Sequence, residues 1–144
     1  MGYTSQHTTM LVGLGVSSIS DAGNAFAQNA KTLHDYYSDI NNNKLSTRKG
    51  YLLNDEDIAF RKYILDISCK GLTKFRTDDL PLLEEFSFKQ LDLLRKDGLV
   101  EFDKTQLKLT SQGRYFIRNV CSAFDLHLLR QATDSQKPLF SSAI

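Results

Sequence analysis

The sequence predicts a mainly helical fold with a small β-hairpin, of the α+β class, and the observations behind this lie within residues 87–124. Ser87 and Gln90 fit a capping box, which places a helix start directly after the serine. Gly98 can take the left-handed conformation that ends such a helix, and two short β-prone runs follow it. Thr110 is a good cap for a further helix. The order helix, hairpin, helix is the plan of a winged helix.

The strands and helices of this region can be bounded from the residues alone. Strands are expected at 99–102 and 106–109 around a short turn, and the preceding helix turns Leu91 and Leu94 towards a core. The helix after Thr110 carries an apolar stripe at spacings of three and four residues, which predicts a buried face. Its members are Ile117, Val120, Cys121, Phe124 and Leu128.

The N-terminal part contains one apolar run, residues 10–19, which predicts a buried strand. Its hydrophobicity is continuous rather than alternating, as is typical of a strand covered on both faces of a parallel sheet. The chain has no obvious βαβ repeat that would supply neighbouring strands. Residues 20–28 are small and polar and predict a loop, so the strand is expected to lack partners in this sequence.

Two helices are expected between this run and residue 71. Asn29 is a candidate cap for the first helix, which the three asparagines of 41–43 would end. An exposed connector and a short extended piece follow at 44–53. Asn54 can cap the second helix, which has an acidic first turn and ends at Gly71. The predicted apolar faces are Leu33, Tyr36, Tyr37 and Ile40 in the first helix and Ile58, Leu65, Cys69 and Leu72 in the second.

Two further segments complete the chain. Residues 77–86 predict a short helix with Pro81 in its first turn, where a proline is tolerated. Residues 133–144 predict a loose terminus that ends in an apolar patch of Leu139, Phe140 and Ile144.

Charge argues against nucleic-acid binding by the predicted winged helix. Residues 77–109 contain five basic and eight acidic side chains, a net charge of −3. Because phosphate neutralisation supplies most of the affinity for nucleic acid, such a hairpin and helix would be repelled. The fold is therefore expected to serve as a packing module.

The excess of positive charge lies in residues 44–76, with eight basic and four acidic side chains. This patch could meet an anionic ligand or form an ordinary solvated surface. Arg114 and Arg118 lie four residues apart on one helix face. They could hold a carboxylate or pair with acidic residues of the domain.

Catalysis by this chain alone is not indicated. Its histidines, His7, His34 and His127, are isolated in sequence, and no HExxH or CxxC pattern is present. Cys69 and Cys121 lie on predicted apolar faces, where thiols are usually inert, although folding could bring a thiol to a histidine. No apolar run is long enough to span a membrane and no signal peptide is evident, so a soluble cytoplasmic protein is expected.

Five sequence blocks together resemble one family. They are GYTSQ (2–6), GLGVSSIS (13–20), AQN (27–29), DGLVE (97–101) and LTSQGRYFIRNVCSAFD (109–125). The pattern GR..IRN.C..FD within the last block is specific, and the resemblance extends to the terminal FSSAI. The family is that of oxygen-independent coproporphyrinogen III oxidase.

The resemblance implies a radical S-adenosylmethionine enzyme of haem biosynthesis. Such an enzyme oxidatively decarboxylates two propionates of coproporphyrinogen III to vinyl groups, giving protoporphyrinogen IX, and its 4Fe-4S cluster cleaves S-adenosylmethionine. In the family a CxxxCxxC motif in an N-terminal barrel holds the iron-sulfur cluster, and this sequence has no such motif. The chain is therefore expected to be a C-terminal part that binds neither cofactor by itself, is inactive alone, and packs on the barrel of the same protein.

The resemblance also divides the chain and suggests binding residues. Residues 1–28 are expected to be the remnant of the last barrel strands and their loop, and residues 29–144 the helical, winged-helix-like domain. Ile19 matches a residue that contacts a second S-adenosylmethionine molecule in the family. Charge complementarity to the four substrate carboxylates suggests Arg48 and Arg118 as substrate-binding residues. The alternatives are a haem chaperone of the same family and a non-catalytic regulatory or interaction module.

Overall fold

The structure is a computed structural model that describes residues 10–134, and these fall into two compact units, residues 10–58 and residues 59–134. Each unit contains a three-stranded antiparallel sheet together with helical segments. The fold class is therefore mixed α and β with small antiparallel sheets. The predicted C-terminal apolar patch of Leu139, Phe140 and Ile144 lies outside the described residues, as does His7.

The unit of residues 10–58 is built on the sheet order β1-β2-β3. Its first two strands form a hairpin, and the helix α1 connects the second strand to the third. The bounds are Ile19–Asp21 for β1, Ala25–Asn29 for β2, Leu33–Asn41 for α1 and Thr47–Leu52 for β3.

The prediction of a buried strand at residues 10–19 is wrong. Apart from an isolated bridge between Leu11 and Asp21, strand pairing begins only at Ile19. Gly15 and Ser17 have φ angles of 98° and 59°, and a strand cannot contain such left-handed positions. The apolar run is therefore an exposed segment followed by a loop.

The prediction of a loop at residues 20–28 is also wrong, because β1 and β2 pair there from Ile19↔Gln28 to Asp21↔Phe26. The hairpin turn is closed by the Asp21 side chain, which accepts a hydrogen bond from the Gly23 N–H at 2.8 Å. The small and polar composition of the segment concealed a strand that pairs on both sides.

Helix α1 ends as predicted but begins elsewhere. Thr32, rather than Asn29, caps it, since the Asp35 N–H donates to Thr32 Oγ1 at 3.2 Å. The helix ends at Asn41, and Asn43 has a left-handed φ of 56°. Its predicted apolar face is not buried, because no α1 side chain is classed as buried.

The unit of residues 59–134 alternates helices with a second sheet of order β4-β6-β5. The boundary between the two units falls within its first helix. The elements are α2 Asp55–Lys70, β4 Leu72–Lys74, α3 Leu80–Leu82, α4 Phe88–Lys96, β5 Val100–Phe102, β6 Gln106–Leu109, α5 Ile117–Ser122 and α6 Leu126–Asp134. Among the described residues, no helix is long and apolar enough to cross a membrane.

One hydrophobic core holds this second unit together. Tyr63 lies at its centre, with its ring edge-on to Phe60 and Phe75 at centroid distances of 5.7 and 5.6 Å and tilted against Phe124 at 5.8 Å. Fully burying a large apolar side chain contributes roughly 1.5–3 kcal/mol. Other members from the helices and the sheet are Ile67, Leu83, Leu91, Leu94, Leu99, Val100, Leu107, Leu109, Val120 and Leu126.

The limits of α2 are confirmed, but its predicted buried face is wrong. The Asp57 N–H donates to Asn54 Oδ1 at 2.8 Å at the start, and Gly71 has a φ of 72° at the end. The buried side chains are Phe60, Tyr63 and Ile67, not the predicted stripe of Ile58, Leu65, Cys69 and Leu72. Both sets have helical spacing, and the larger aromatic set faces the core.

The capping box at Ser87 is wrong as well. The chain stays helical from α3 through a wide turn, Leu83–Ser87, into α4, and Ser87 itself has helical φ and ψ of −97° and −42°. The serine hydroxyl is buried and has no hydrogen-bond partner among the described residues. Leu91 and Leu94 are buried as predicted.

The hairpin and its flanking signals are confirmed. Gly98 has a φ of 72°, β5 and β6 pair from Val100↔Leu109 to Phe102↔Leu107, and the Gly113 N–H donates to Thr110 Oγ1 at 2.9 Å. The predicted final helix is broken into a tight turn, Gly113–Phe116, and the separate helices α5 and α6. In its predicted stripe Val120 and Phe124 are buried, while Ile117, Cys121 and Leu128 are half-buried.

Candidate functional site

The richest polar cluster of the first unit surrounds the loop 13–18, directly before β1. The Gly15 N–H donates to the Tyr36 hydroxyl at 3.2 Å, and the Ser17 N–H donates to the Ala30 carbonyl at 2.8 Å. The loop is thereby tied both to α1 and to the residue that follows β2.

The side chain of Asn29 fastens this loop from the end of β2. Its Nδ2 donates to Ser18 Oγ and to the Gly15 carbonyl, both at 3.0 Å, and lies 3.4 Å from the Gly13 carbonyl. The Ser18 hydroxyl in turn donates to the Gly15 carbonyl at 2.7 Å. The backbone N–H of Asn29 donates to the Ser18 carbonyl at 3.0 Å. One side chain therefore holds the loop at Gly15 and Ser18 and lies close to Gly13.

Ile19, the predicted S-adenosylmethionine contact, follows this loop directly as the first residue of β1. It pairs with Gln28, and 43% of its surface is exposed. Gly13 packs against its backbone, since a Cβ at Gly13 would lie 2.5 Å from the Ile19 carbonyl oxygen. The accessible apolar side chain of Ile19 therefore follows directly after a loop that is closely packed against the Ile19 backbone.

Arg48, a predicted substrate-binding residue, lies in β3 and already has an ionic partner. Its Nη2 is 2.6 Å from Asp39 Oδ2, which also accepts a hydrogen bond from Ser46 Oγ at 2.8 Å. The arginine side chain is 47% exposed. The strand pairing places Lys49, rather than Arg48, in one row with Gln28 and Ile19.

Arg118, the other predicted substrate-binding residue, belongs to the second unit and lies exposed on α5. It forms no ion pair with a residue that the structure describes. The guanidinium of Arg114 lies over Gly71, where a Cβ would be 3.3 Å from its Nη2. Within the described part of the chain, neither arginine pairs with an acidic residue.

The described residues do not fit a metal cluster. Residues 10–134 contain no group of three or more His, Cys, Asp or Glu side chains that could hold a metal ion. Cys69 and Cys121 are free and half-buried, and burial raises the pKa of the Cys121 thiol to about 11. A 4Fe-4S cluster is held by several cysteine thiolates, which these two residues cannot provide.

Two of the basic residues between 77 and 109 are engaged by acidic side chains. Lys104 Nζ lies 2.8 Å from Glu84 Oε1, and Arg95 Nη2 lies 2.7 Å from Asp92 Oδ1. Such pairing reduces further the positive charge that a phosphate backbone would need.

Asn29 is the residue of this site to which the sequence assigned the wrong role. The sequence predicts a helix cap, whereas the structure uses the side chain to fasten the preceding loop. Its block AQN (27–29) contributes to the family resemblance, which was the one signal available.

Comparison with known proteins gives a consistent result. No protein-family model matches the chain. Curated relatives named oxygen-independent coproporphyrinogen III oxidase include those of Escherichia coli, 35% identical over 94% of this chain and 31% of the relative, and Synechocystis, 31% identical over 99% and 32%. A solved structure of coproporphyrinogen III oxidase from Escherichia coli, described as a radical SAM enzyme, matches with a TM-score of 0.72 and 34% identity.

That structural match covers 88% of this chain and 30% of the solved one. The chain thus spans about a third of the length of the relatives that it matches. It is homologous to the oxygen-independent coproporphyrinogen III oxidases and corresponds to a C-terminal part of them.

Proposed function

We propose that this chain is the C-terminal part of an active oxygen-independent coproporphyrinogen III oxidase, which converts two propionates of coproporphyrinogen III to vinyl groups in haem biosynthesis. The observation that carries the proposal is the similarity of 94% of the chain to a relative of that name. The relatives bear the name of the oxidase, which favours it over the haem-chaperone and regulatory alternatives.

In this proposal the rest of the enzyme holds the cofactors. The solved relative is described as a radical SAM enzyme, which supports S-adenosylmethionine and a 4Fe-4S cluster in the whole protein. The described residues do not fit the cluster, so the chain contributes by packing on the barrel and shaping its substrate side. The chain alone is then inactive, and the whole enzyme is expected in the cytoplasm.

The exposed apolar surface of the first unit supports the barrel as a partner. Six large side chains described there are more than 60% exposed, namely Met10, Val12, Leu14, Leu33, Leu45 and Leu52. Large exposed apolar surface often marks a contact with another protein surface. The two thirds of the relatives that this chain does not span would supply that surface.

The domain assignment is proposed from the family resemblance. Residues 1–28 are assigned to the end of the barrel and residues 29–144 to a winged-helix-like domain. The order α2, β4, α3, α4, β5 and β6, with β4 paired to β6, supports the winged helix within residues 59–134. Strand β3 joins the sheet of β1 and β2, so this sheet and the first compact unit extend across the proposed boundary at residue 28.

The binding residues are assigned by accessibility and charge. Ile19 presents an exposed apolar side chain for S-adenosylmethionine. Arg118 has no ionic partner among the described residues, and Arg48 can exchange Asp39 for a substrate carboxylate. The Arg48 side chain is 47% exposed, and Asp39 keeps the hydrogen bond from Ser46 Oγ when the arginine turns to the substrate.

The function is tested by anaerobic conversion of coproporphyrinogen III by the full-length protein with S-adenosylmethionine. Arg48→Ala and Arg118→Ala are each expected to raise the KM for coproporphyrinogen III about tenfold, because each removes a charge-assisted contact. Arg95→Ala, which removes a surface arginine paired with Asp92, is the matched control. Absence of conversion by the unsubstituted protein would refute the function, whereas unchanged kinetics of both variants would refute the arginine assignment alone.

A simpler experiment tests the division of labour. Purified residues 1–144 are expected to be colourless and to bind no iron, and a stoichiometric iron-sulfur absorption band would contradict this. Sequencing the gene upstream of Met1 adds a direct check. A CxxxCxxC motif within a long barrel would support the enzyme, and a different domain would refute it.

A further inference from the structure

We propose that Asn29 is a positioning residue whose carboxamide holds the loop 13–18 in one conformation and thereby sets where Ile19 meets S-adenosylmethionine. The inference rests on the proposed function for the identity of the ligand. The hydrogen bonds that carry it belong to residues of this chain alone.

Strand pairing places Asn29 beside the loop. Ile19 of β1 pairs with Gln28, so Asn29, the next residue of β2, lies opposite Ser18, and its backbone N–H donates to the Ser18 carbonyl at 3.0 Å. On the other side of β2 the register shifts, with Gln28 paired to Lys49 and Asn29 to Thr47, so the extra residue is Arg48 of β3. The Asn29 side chain therefore reaches the loop from the last position of β2.

The chemistry of the cluster requires a donor at this position. The carboxamide has two N–H hydrogens, and Ser18 Oγ and the Gly15 carbonyl accept them at 3.0 Å each. The Gly13 carbonyl lies at 3.4 Å, and the Ser18 hydroxyl uses its own hydrogen on Gly15. A carboxylate of the same shape has no N–H to donate, and its oxygens would repel the acceptor oxygens of the loop.

The loop packs directly against Ile19. The Gly13 backbone lies against the Ile19 backbone, because a Cβ at Gly13 would lie 2.5 Å from the Ile19 carbonyl oxygen and 2.8 Å from its carbonyl carbon. The φ of Gly13 is not in the left-handed region, so an added methyl group acts through this contact rather than through backbone strain. Gly13 thus acts on Ile19 directly, and Asn29 acts on it through the loop.

The first experiment compares ¹⁵N-labelled residues 1–144 carrying Asn29→Asp or the matched control Asn24→Asp. Both substitutions turn an asparagine carboxamide into a carboxylate in the first unit, but Asn24 is exposed in the turn between β1 and β2, at the end of the hairpin opposite the loop 13–18. Asn29→Asp is expected to speed amide exchange of Gly15 and Ser17 about tenfold and to shift the Ile19 amide signal, because it removes the donor that holds Gly15 and Ser18. Asn24→Asp leaves these signals in place.

The pH dependence of this variant gives a readout that a general loss of stability would not. Below the pKa of the introduced carboxyl group, the protonated side chain of the Asn29→Asp variant can donate one hydrogen bond and partly restores the loop signals. Asn29→Ala shows no such recovery. Loop signals in Asn29→Asp that match those of Asn24→Asp at every pH would overturn the proposal.

The second experiment measures S-adenosylmethionine binding to the full-length protein by equilibrium dialysis. Asn29→Asp and Gly13→Ala are each expected to raise the Kd about tenfold with unchanged iron content, while Asn24→Asp stays within about twofold. An unchanged Kd despite displaced loop signals would reduce Asn29 to a structural role and overturn the proposal. Absence of binding by the unsubstituted protein would refute the proposed function, and this inference with it, even if the loop signals respond as expected.

Discussion

Gly113 shows how a single residue fixes the contact between the hairpin and the helices that follow it. A Cβ at Gly113 would overlap the Leu99 carbonyl, and this carbonyl is held by the Thr110 N–H and hydroxyl, both at 3.1 Å. The backbone has no room to retreat, since Leu99 leads directly into β5. The glycine is needed here for close approach rather than for an unusual backbone conformation.

Gly113→Ala is therefore expected to lower the free energy of unfolding by about 3 kcal/mol, at the upper end of the cost of overpacking. Urea unfolding followed by circular dichroism measures this. Ser111→Ala, an exposed change in the same turn, is the control and is expected to stay within about 0.5 kcal/mol. If the two variants are equally stable, the turn can open to accommodate the added methyl group at no cost in free energy of unfolding.

Cys121 shows how burial controls the reactivity of a residue. Its thiol contacts the Ile64 carbonyl at 3.8 Å, and burial raises its pKa to about 11. Only the thiolate reacts with alkylating reagents, so the reactive fraction at pH 8 is about 0.1%, against roughly a quarter for an ordinary thiol. The alkylation rate is expected to rise about tenfold per pH unit up to the pKa.

Mass spectrometry after timed iodoacetamide treatment of residues 1–144 measures that rate at each pH. The same chain unfolded in urea is the reference, because there the thiol titrates normally. Modification of Cys121 in the folded chain at pH 8 at the unfolded rate would contradict the burial.

At the scale of elements, α4 is the continuation of an earlier helical turn rather than a newly capped helix. Ser87 is fully buried and its hydroxyl has no partner among the described residues. A buried hydroxyl without a hydrogen bond costs about 1–3 kcal/mol of folding free energy, so removing it takes away a destabilising contribution.

Ser87→Ala is accordingly expected to leave the free energy of unfolding unchanged or to raise it by up to about 1 kcal/mol. A true cap behaves in the opposite way, and Thr110→Ala, which removes the acceptor of the Gly113 N–H, should lose about 1 kcal/mol. Chemical unfolding of both variants decides the matter. A loss of stability in Ser87→Ala similar to that in Thr110→Ala would support the capping box that the sequence predicts at Ser87.

Tyr63 anchors α2 to the segment before α3. Its hydroxyl donates to the Asp79 carboxylate and accepts from the Arg76 N–H at 3.1 Å. Burial, followed by the hydrogen bond to Asp79, raises the pKa of Tyr63 to about 12. In the unfolded chain the tyrosine hydroxyl loses its proton near pH 10. The stabilisation of the folded chain by the protonated Tyr63 is therefore complete below pH 10 and is lost as the pH rises through 12.

Tyr63→Phe is expected to cost about 1–3 kcal/mol at pH 7, because it leaves Asp79 and the Arg76 N–H without their partner. It should also flatten the fall of stability between pH 10 and 12. Urea unfolding across this range measures both effects, with Tyr115→Phe at an 88% exposed position as the control. If Tyr63→Phe loses stability between pH 10 and 12 as steeply as the unsubstituted chain, another titrating group causes that loss.

The elements that could be predicted from the sequence are those fixed by neighbouring residues. Gly98, Thr110, Asn54 and Gly71 act on the backbone within a few residues, and the structure places each of them as predicted. Burial depends instead on what a face meets. The sequence of α2 offers two stripes, and only the packed aromatic rings around Tyr63 select between them.

The residues of the candidate site could be predicted from the sequence only in part. The resemblance supplied Ile19, and charge supplied Arg48 and Arg118, all of which remain proposals. The Asn29 cluster depends on the pairing of β1 with β2, which brings Asn29 beside Ser18, whereas the sequence predicts a loop at 20–28.

At the scale of the whole molecule, the two units differ in how much they bury. The second has a continuous core of large side chains from its helices and sheet. Among the described residues of 10–58, only Ala30 and Ser46 are nearly inaccessible. The second unit can thus stabilise itself by burial, whereas the first completely buries no large described side chain and leaves many of its apolar side chains exposed.

This difference predicts that purified residues 1–144 associate through the first unit when the barrel is absent. Leu14, Leu45 and Leu52 are 86%, 89% and 79% exposed, and each buried apolar side chain contributes roughly 1.5–3 kcal/mol to association. Changing all three to glutamine should shift the chain towards monomer in multi-angle light scattering, with little change in thermal unfolding because none contributes to a core. Leu93→Gln, at a 56% exposed position of α4, is the control and should leave association unchanged. A triple variant that associates as strongly as the unsubstituted chain would place the contact elsewhere, and would remove the support that these leucines give to the barrel as partner.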